Sequence, residues 1–267
     1  MNPPLALNPP VRGKWAILNP PGHAKLAFDF LAVDDQRSPY NGVSLLRHIF
    51  STISVDSTLA WGKPVLAVMD GTVVAASDCT PDRERISMVR DLFRLMFFGP
   101  KIAPPFSALG GNYVILKCGA VYPLYAHLKN GSVCVRPGDI VRSGDKLGLV
   151  GNSGSSLQPH LHFQVMNTPE PFPLFKNLVP FVISFAQKRA EGKWHSVERE
   201  ALANGEHLQL WAGNGAQPGS QPDLREKPRR PVTSTLGSLI IHAFASAAFC
   251  QQQSLGRAAN APRSAFF

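Results

Sequence analysis

The sequence lacks the devices that would place it quickly. Its four cysteines, Cys79, Cys118, Cys134 and Cys250, show no Cys-x-x-Cys spacing, which excludes a zinc knuckle and a dense disulfide framework. Buried free thiols are the expectation for them, with a Cys118–Cys134 disulfide between neighbouring strands as the alternative left open. No apolar run reaches the roughly 18–20 residues that span a bilayer. The nearest, Thr235 to Cys250, is shorter and carries His242, so no transmembrane helix is expected. The first ten residues contain no basic segment followed by an apolar one, so no secretory signal is recognised there. The stretch Gly151-Asn152-Ser153-Gly154-Ser155-Ser156 lacks the Lys-Ser/Thr and following helix of a phosphate loop and reads as a groove rim. Charged residues make up only 17% of the 267, against 44% hydrophobic. That balance is enough for one domain of about 150–200 residues plus extensions.

The formal charge of +9 favours anionic partners in general without choosing among them. Part of it, Arg225, Lys227, Arg229, Arg230, Arg257 and Arg263, lies beyond residue 211 and reads as a solvated tail. No nucleic-acid partner is expected.

Twenty-four prolines and 22 glycines imply many short elements. Residues 1–22 are Pro-rich and expected to be extended. Strands are expected at Leu26–Val33, Lys63–Val68, Thr72–Ala76, Asn112–Cys118, Val121–Leu128, Val133–Val135, Val141–Asp145, Leu147–Gly151, Leu161–Met166, Pro180–Gln187 and Ser196–Leu210. Met69-Asp70-Gly71 reads as the turn of a hairpin. Apolar residues at Ile86, Val89, Leu92, Phe93, Leu95 and Met96 predict an amphipathic helix over Arg83–Phe98, and a short helix is expected at Ser44–Ser51. The fold class is mainly β, an antiparallel barrel-sandwich-like sheet with a helical insertion and an irregular tail. The expected domains are an N-terminal segment 1–14, a main domain 15–211 with insertions at about 34–60 and 80–108, and a disordered tail 212–267.

The chemistry centres on His160-Leu161-His162. In a strand, residues i and i+2 share a face about 7 Å apart, so both imidazoles can look into one pocket. Alone, the pair reads more readily as two surface histidines on an edge strand. Two further sites change that. Tyr125 and His127 share a strand face, and Asp29 is a lone carboxylate among Ala27, Phe28, Phe30 and Leu31. A carboxylate so flanked faces solvent or meets a cation or metal, because an unpaired buried charge is costly. Two histidines and a carboxylate with an open position form a common catalytic zinc set. His48, His195, His207 and His242 have no partner spacing and are read as non-functional; Asp34-Asp35 reads as a turn, and Asn112 as a structural strand start.

These stretches together resemble the lysostaphin-type zinc metallopeptidases of bacterial peptidoglycan. The resemblance covers roughly residues 15–210. It rests on His23 with Asp29-Phe30, on Gly62 to Val74, on Gly111-Asn112-Tyr113 with Tyr125-Ala126-His127-Leu128, and on Val141 to Gly151 with Pro159-His160-Leu161-His162-Phe163. It implies one Zn²⁺ per chain on His23, Asp29 and His162, with His127 and His160 as catalytic histidines that do not bind metal. It also implies peptidoglycan peptides as substrate and a periplasmic or extracellular setting. In the absence of a His-Glu-x-x-His glutamate, an imidazole must accept the water's proton. The commoner family spacing puts the first histidine four residues before the aspartate, whereas here the gap is six, so the chain must turn between them. The competing readings are a catalytically silent wall-binding or hydrolase-regulating module of the same fold and a lipoyl- or biotinyl-carrier barrel. The carrier lacks its acceptor lysine, since Met69-Asp70 stand at that turn.

Overall fold

The computed structural model describes residues 4–20, 23–43, 47, 51–87, 89–91, 93, 106–171 and 177–211. In chain order its strands begin with β1 (Leu5–Leu7), β2 (Gly13–Leu18), β3 (Ala27–Ala32), β4 (Ile53–Ser54), β5 (Pro64–Leu66), β6 (Gly71–Ser77) and β7 (Arg85–Ile86). They continue with β8 (Asn112–Lys117), β9 (Tyr122–Leu128), β10 (Ile140–Val141), β11 (Lys146–Leu149) and β12 (Leu161–Met166). The last are β13 (Phe181–Ile183), β14 (Ala186–Ala190), β15 (Lys193–Val197), β16 (Glu200–Ala201) and β17 (His207–Leu210). The protein is mainly β, as its sequence implies. Ten strands form one sheet in the order β10-β6-β8-β9-β12-β3-β2-β17-β14-β15, and every pairing in it is antiparallel.

The centre of that sheet is fixed by aromatic burial. Trp15, Phe30, Tyr125 and Phe163 are fully buried on one face. Phe163 meets Phe30 edge-on at 6.2 Å and Phe181 at 5.3 Å. Burial of each such side chain is worth about 1.5–3 kcal/mol, and a well-set aromatic pair adds roughly 0.5–1.5 kcal/mol. The functional consequence is register. A one-residue slip of β12 would turn Phe163 out of the core and His162 into it. The apolar face therefore fixes which residues the opposite face presents. All six residues of β3 are buried, because both faces of the sheet are covered at that point.

Several elements differ from the sequence-based reading. The Pro-rich start is extended but packed: β1 pairs in parallel with β13, Leu7 and Val11 join the core, and β2 lies between β3 and β17. The alternation of buried Trp15 and Ile17 was the available signal for β2.

The expected hairpin at Asp70-Gly71 does not form. β5 pairs with β11, while β6 pairs with β8 and β10. Gly71 serves close packing, since a Cβ there would stand 2.6 Å from the Lys117 carbonyl oxygen. The adjacent Asp70 accepts from the Ser143 amide at 2.7 Å.

The expected helix over Arg83–Phe98 starts late, because Arg85–Ile86 form β7 and pair with β4. Residues 89–91 and 93 are helical, and the remainder of that span, 88, 92 and 94–98, lies outside the described residues. Of the helix expected at Ser44–Ser51 only 47 and 51 are described, with the Ser51 amide donating to the Arg47 carbonyl at 2.9 Å. Val133–Val135 forms no ladder, and Ser196–Leu210 is divided among β15, β16 and β17.

Cys118 is buried, but Cys79 and Cys134 are exposed, and Cys118 and Cys134 are not joined. The Cys134 thiol donates to the Lys146 carbonyl at 3.1 Å. Cys250, His48, His242 and the expected tail 212–267 lie outside the described residues. Among the described residues no helix is long and apolar enough to cross a membrane.

The two insertions expected at about 34–60 and 80–108 share a small core of their own. Tyr40, Ile53 and Val55 from the first pack with Ile86 from the second.

Candidate active site

Three adjacent strands supply the site from the face opposite the aromatic core. Asp29 on β3 lies directly across from His162 on β12, and Ala126 of β9 lies on the other side of His162. His162 Nδ1 stands 2.9 Å from Asp29 Oδ1, and His23 Nε2 stands 3.3 Å from Asp29 Oδ2. The ligand atoms of His23, Asp29 and His162 all lie within 4.8 Å of one another. Zinc bonds of about 2.0–2.2 Å set tetrahedral neighbours roughly 3.3–3.5 Å apart, so two imidazole nitrogens and a carboxylate oxygen so grouped fit that ion with small side-chain adjustments.

His23 reaches this cluster through a turn, which answers the six-residue gap. The Ala27 amide donates to the Ala24 carbonyl at 3.0 Å, and the His23 amide donates to the Pro20 carbonyl at 3.1 Å. Asn19 braces the bend, its side-chain amide donating to the carbonyls of Ala24 at 2.8 Å and Ala27 at 2.6 Å. Asn19→Ala is therefore expected to weaken any metal binding by this group by about tenfold, the low end for residues that support metal ligands. It is also expected to lower stability by about 1–2 kcal/mol, because two carbonyls each lose a donor. Chelator competition and thermal unfolding of the variant check both figures.

His127 and His160 flank the cluster, their rings 4.7 Å apart, and His127 lies 6.0 Å from His162. His127 is not aimed by simple strand alternation. It sits at a register shift between β8 and β9 with φ 61°, the extra residue of a bulge. Bulges re-aim side chains in this way. Tyr125, expected to share its face, points into the core instead, where its hydroxyl accepts from the Val68 amide at 2.9 Å. The rim loop holds His127 from behind: His127 Nδ1–H donates to the Ser153 carbonyl at 2.8 Å. Ser153 Oγ accepts from the Asn112 amide at 3.0 Å and donates to the Leu128 carbonyl at 2.7 Å. Gly111 permits that approach, since a Cβ there would meet Ser153 Oγ at 2.4 Å and its φ is +65°. Asn112 is buried and spans Thr80 and Leu128, in keeping with a structural role.

The hydrogen bonds sort the ring nitrogens. His160 Nδ1–H donates to the Gln158 carbonyl at 2.7 Å, with Ser156 Oγ at 3.2 Å. His127 and His160 thus both use Nδ1 for a backbone carbonyl, and His160 Nε2 lies 3.5 Å from Asp29 Oδ1. His162 is arranged the other way: Nδ1 stands 2.9 Å from Asp29 Oδ1, and Nε2 lies 3.2 Å from Gln164 Oε1. In each case the partner of one nitrogen determines what the other can do.

Charge follows geometry. Burial acts to raise the Asp29 pKa, but the His160 charge and hydrogen bonds to His160, His162 and His23 outweigh it and hold the carboxyl well below its ordinary value. Burial, with the His160 and His162 charges, pushes His127 well below the usual imidazole range. Burial also opposes protonation of His160, yet the charge and hydrogen bond of Asp29 raise it overall. The two flanking imidazoles are therefore driven apart in proton affinity, a pattern typical of acid–base sites.

Among the described residues, two other histidines stay out of the site. His195 is exposed on β15, and His207 is buried on β17 with its ring 5.0 Å from Trp194. Asp34 caps a turn by accepting from the amides of Gln36 and Ser38, and Asp35 pairs with Lys14 at 2.6 Å. The residues that sequence reasoning missed are the supporting ones: Asn19, Ser153, Gln158 and Gln164. Only Gln164 carried a signal, two residues after His162 and so on the same strand face.

Two imidazoles and a carboxylate are so grouped that they could hold a metal ion, with two more imidazoles beside them. Residues 101–173 match the model of Peptidase family M23. The matched stretch contains His127, His160 and His162. His23 and Asp29 lie upstream of it, and the pairing of β3 with β12 brings Asp29 to it.

A protein of Buchnera aphidicola subsp. Baizongia pistaciae named as an uncharacterized metalloprotease is 28% identical over 137 residues, 51% of this chain and 25% of that protein. The peptidoglycan DD-endopeptidase ShyA of Vibrio cholerae serotype O1 is 34% identical over 79 residues, 29% of this chain and 18% of that one. The chain thus matches a quarter or less of the length of these curated relatives. Among solved structures, the catalytic domain of the antimicrobial peptidase lysostaphin from Staphylococcus simulans is 21% identical, with a TM-score of 0.32, covering 61% of this chain and 91% of that one.

Proposed function

We propose that this chain is a zinc-dependent endopeptidase that hydrolyses peptide bonds in bacterial peptidoglycan, working in the periplasm or outside the cell. The observation that carries the reading is the grouping of His23, Asp29 and His162 within 4.8 Å, flanked by the imidazoles of His127 and His160, whose Nδ1 atoms are both held by backbone carbonyls. In this reading the first three residues hold one Zn²⁺ per chain. When bound, zinc supplies a Lewis acid that polarises a scissile carbonyl and brings the pKa of its water down to about 7.

The chain's own residues do the rest. Asp29 contributes the negative charge that offsets the metal, and Gln164 holds the His162 ring with Nδ1 inward. One of the two flanking imidazoles accepts the water's proton at Nε2 and later delivers it to the leaving amine. The other keeps a protonated Nε2 for the developing oxyanion. Their carbonyl partners, Ser153 and Gln158, fix Nδ1 as the donor and leave Nε2 for this work. The main domain is proposed to comprise residues 15–211 and to act with peptidoglycan peptides as its partner.

Purified peptidoglycan incubated with the zinc-loaded protein is expected to release new amino termini. Chelation is expected to stop the release, and added zinc to restore it. Binding of the wall polymer without any amine release would instead establish the silent module.

A further inference from the structure

His162 and His160 are held by different means. His162 lies within β12, so sheet register and the buried Phe163 beside it fix its position. His160 precedes the strand, at the end of the loop that follows Ser156. Its orientation depends on the carbonyl of Gln158, which accepts from His160 Nδ1–H at 2.7 Å and from Ser156 Oγ–H at 2.7 Å. Something must in turn hold Gln158.

That support comes from the first insertion. Tyr40 is 6% exposed, and its ring packs with Ile53, Val55 and Ile86 in the small core shared by both insertions. Its hydroxyl lies 2.9 Å from Gln158 Oε1. Amide Oε1 only accepts, so Tyr40 donates. Burial raises the phenol to about 12, so the donor proton stays in place at any working pH. The second insertion grips the same loop: the Arg83 guanidinium donates to the Ser156 carbonyl and pairs with Asp91 at 2.6 Å. The two insertions, distant in sequence, thus form one body that holds the loop between Ser156 and His160.

We propose that Tyr40 is a positioning residue for the reaction, acting on His160 through Gln158. The proposal rests on the hydrolytic reading of the centre. It assigns the insertions a task, since they complete the support that strand pairing cannot give His160. A misplaced acid–base group loses rate steeply, while the metal ligands are untouched.

The test uses the full chain with Tyr40→Phe, which keeps the ring and removes only the donor. Its kcat on peptidoglycan fragments is expected to fall about tenfold with KM within about twofold, the scale seen when the support of a site residue is removed. Zinc content stays at the wild-type level. Gln158→Ala shows a similar loss, and the double variant is no slower than the worse single one, because both changes break one chain of contacts. Imidazole ¹⁵N spectra give a reading that does not need activity: the wild type shows His160 protonated at Nδ1, and Tyr40→Phe shows a mixture of tautomers. A kcat unchanged in Tyr40→Phe, multiplicative losses in the double variant, or an unaltered His160 spectrum would overturn the proposal. If the wild type cuts nothing, the hydrolytic reading fails, and the spectrum alone still decides whether Tyr40 positions His160.

Discussion

His162→Ala is expected to lose zinc and cleavage together. His162 is the ligand for which the fold leaves the least freedom. Strands on both sides pair with it, Phe163 locks the register, and Gln164 holds the outer nitrogen. Well-formed zinc sites bind with an apparent 10–16 kcal/mol, so removing one of three protein donors forfeits about 3–5 kcal/mol, or roughly 10²–10⁴ in affinity. Asp29 loses a hydrogen-bond partner in the same step, which removes part of what holds its carboxyl ionised. Metal analysis after dialysis, with a thermal melt to establish that the sheet persists, separates loss of the ligand from loss of the fold.

His160→Ala is expected to do the reverse in one respect: zinc remains and turnover falls. The imidazole at 160 lies outside the group of three and offers its Nε2 to the site with Nδ1 committed to Gln158. Loss of a positioned acid–base group typically lowers rates by about 10²–10⁴. His127 remains 6.0 Å from His162 and keeps its own carbonyl partner, so the variant retains one flanking imidazole and a residual rate. KM should change little, because the residue acts on the proton and not on the bound peptide. A variant that loses zinc as well would mean that His160 belongs to the metal set.

Alternation and spacing carried much of the site. His160 and His162 stand two apart, and Asp29 is a carboxylate set between two core-facing phenylalanines; period two and the cost of burying a charge were enough to bring these forward. What escaped was geometry made by departures from regular pairing. His127 reaches the site through a bulge at φ 61°, not through the alternation that linked it to Tyr125. His23 reaches it because Asn19 binds two carbonyls that exist together only in the folded turn. Such contacts join a side chain to backbone brought near by tertiary structure and leave no pattern in the chain.

The fold shows the same division. The antiparallel sheet was legible, but the Asp70-Gly71 turn suggested a local hairpin where Gly71 instead allows β6 to pack against the end of β8. Likewise Ile86 matched a helical period by position, yet it pairs with Ile53 across two insertions. Local signals there competed with long-range pairing and lost.

The central claim is that one zinc on His23, Asp29 and His162 works with imidazoles that do not bind it. The most direct measurement is zinc per chain and amine release from peptidoglycan, taken on the same samples of wild type, His162→Ala and His160→Ala. The expected result is one zinc with activity, little zinc without activity, and one zinc with activity reduced at least about a hundredfold. Full lytic activity in His162→Ala or His160→Ala, or a wild type that cuts without zinc, would contradict it.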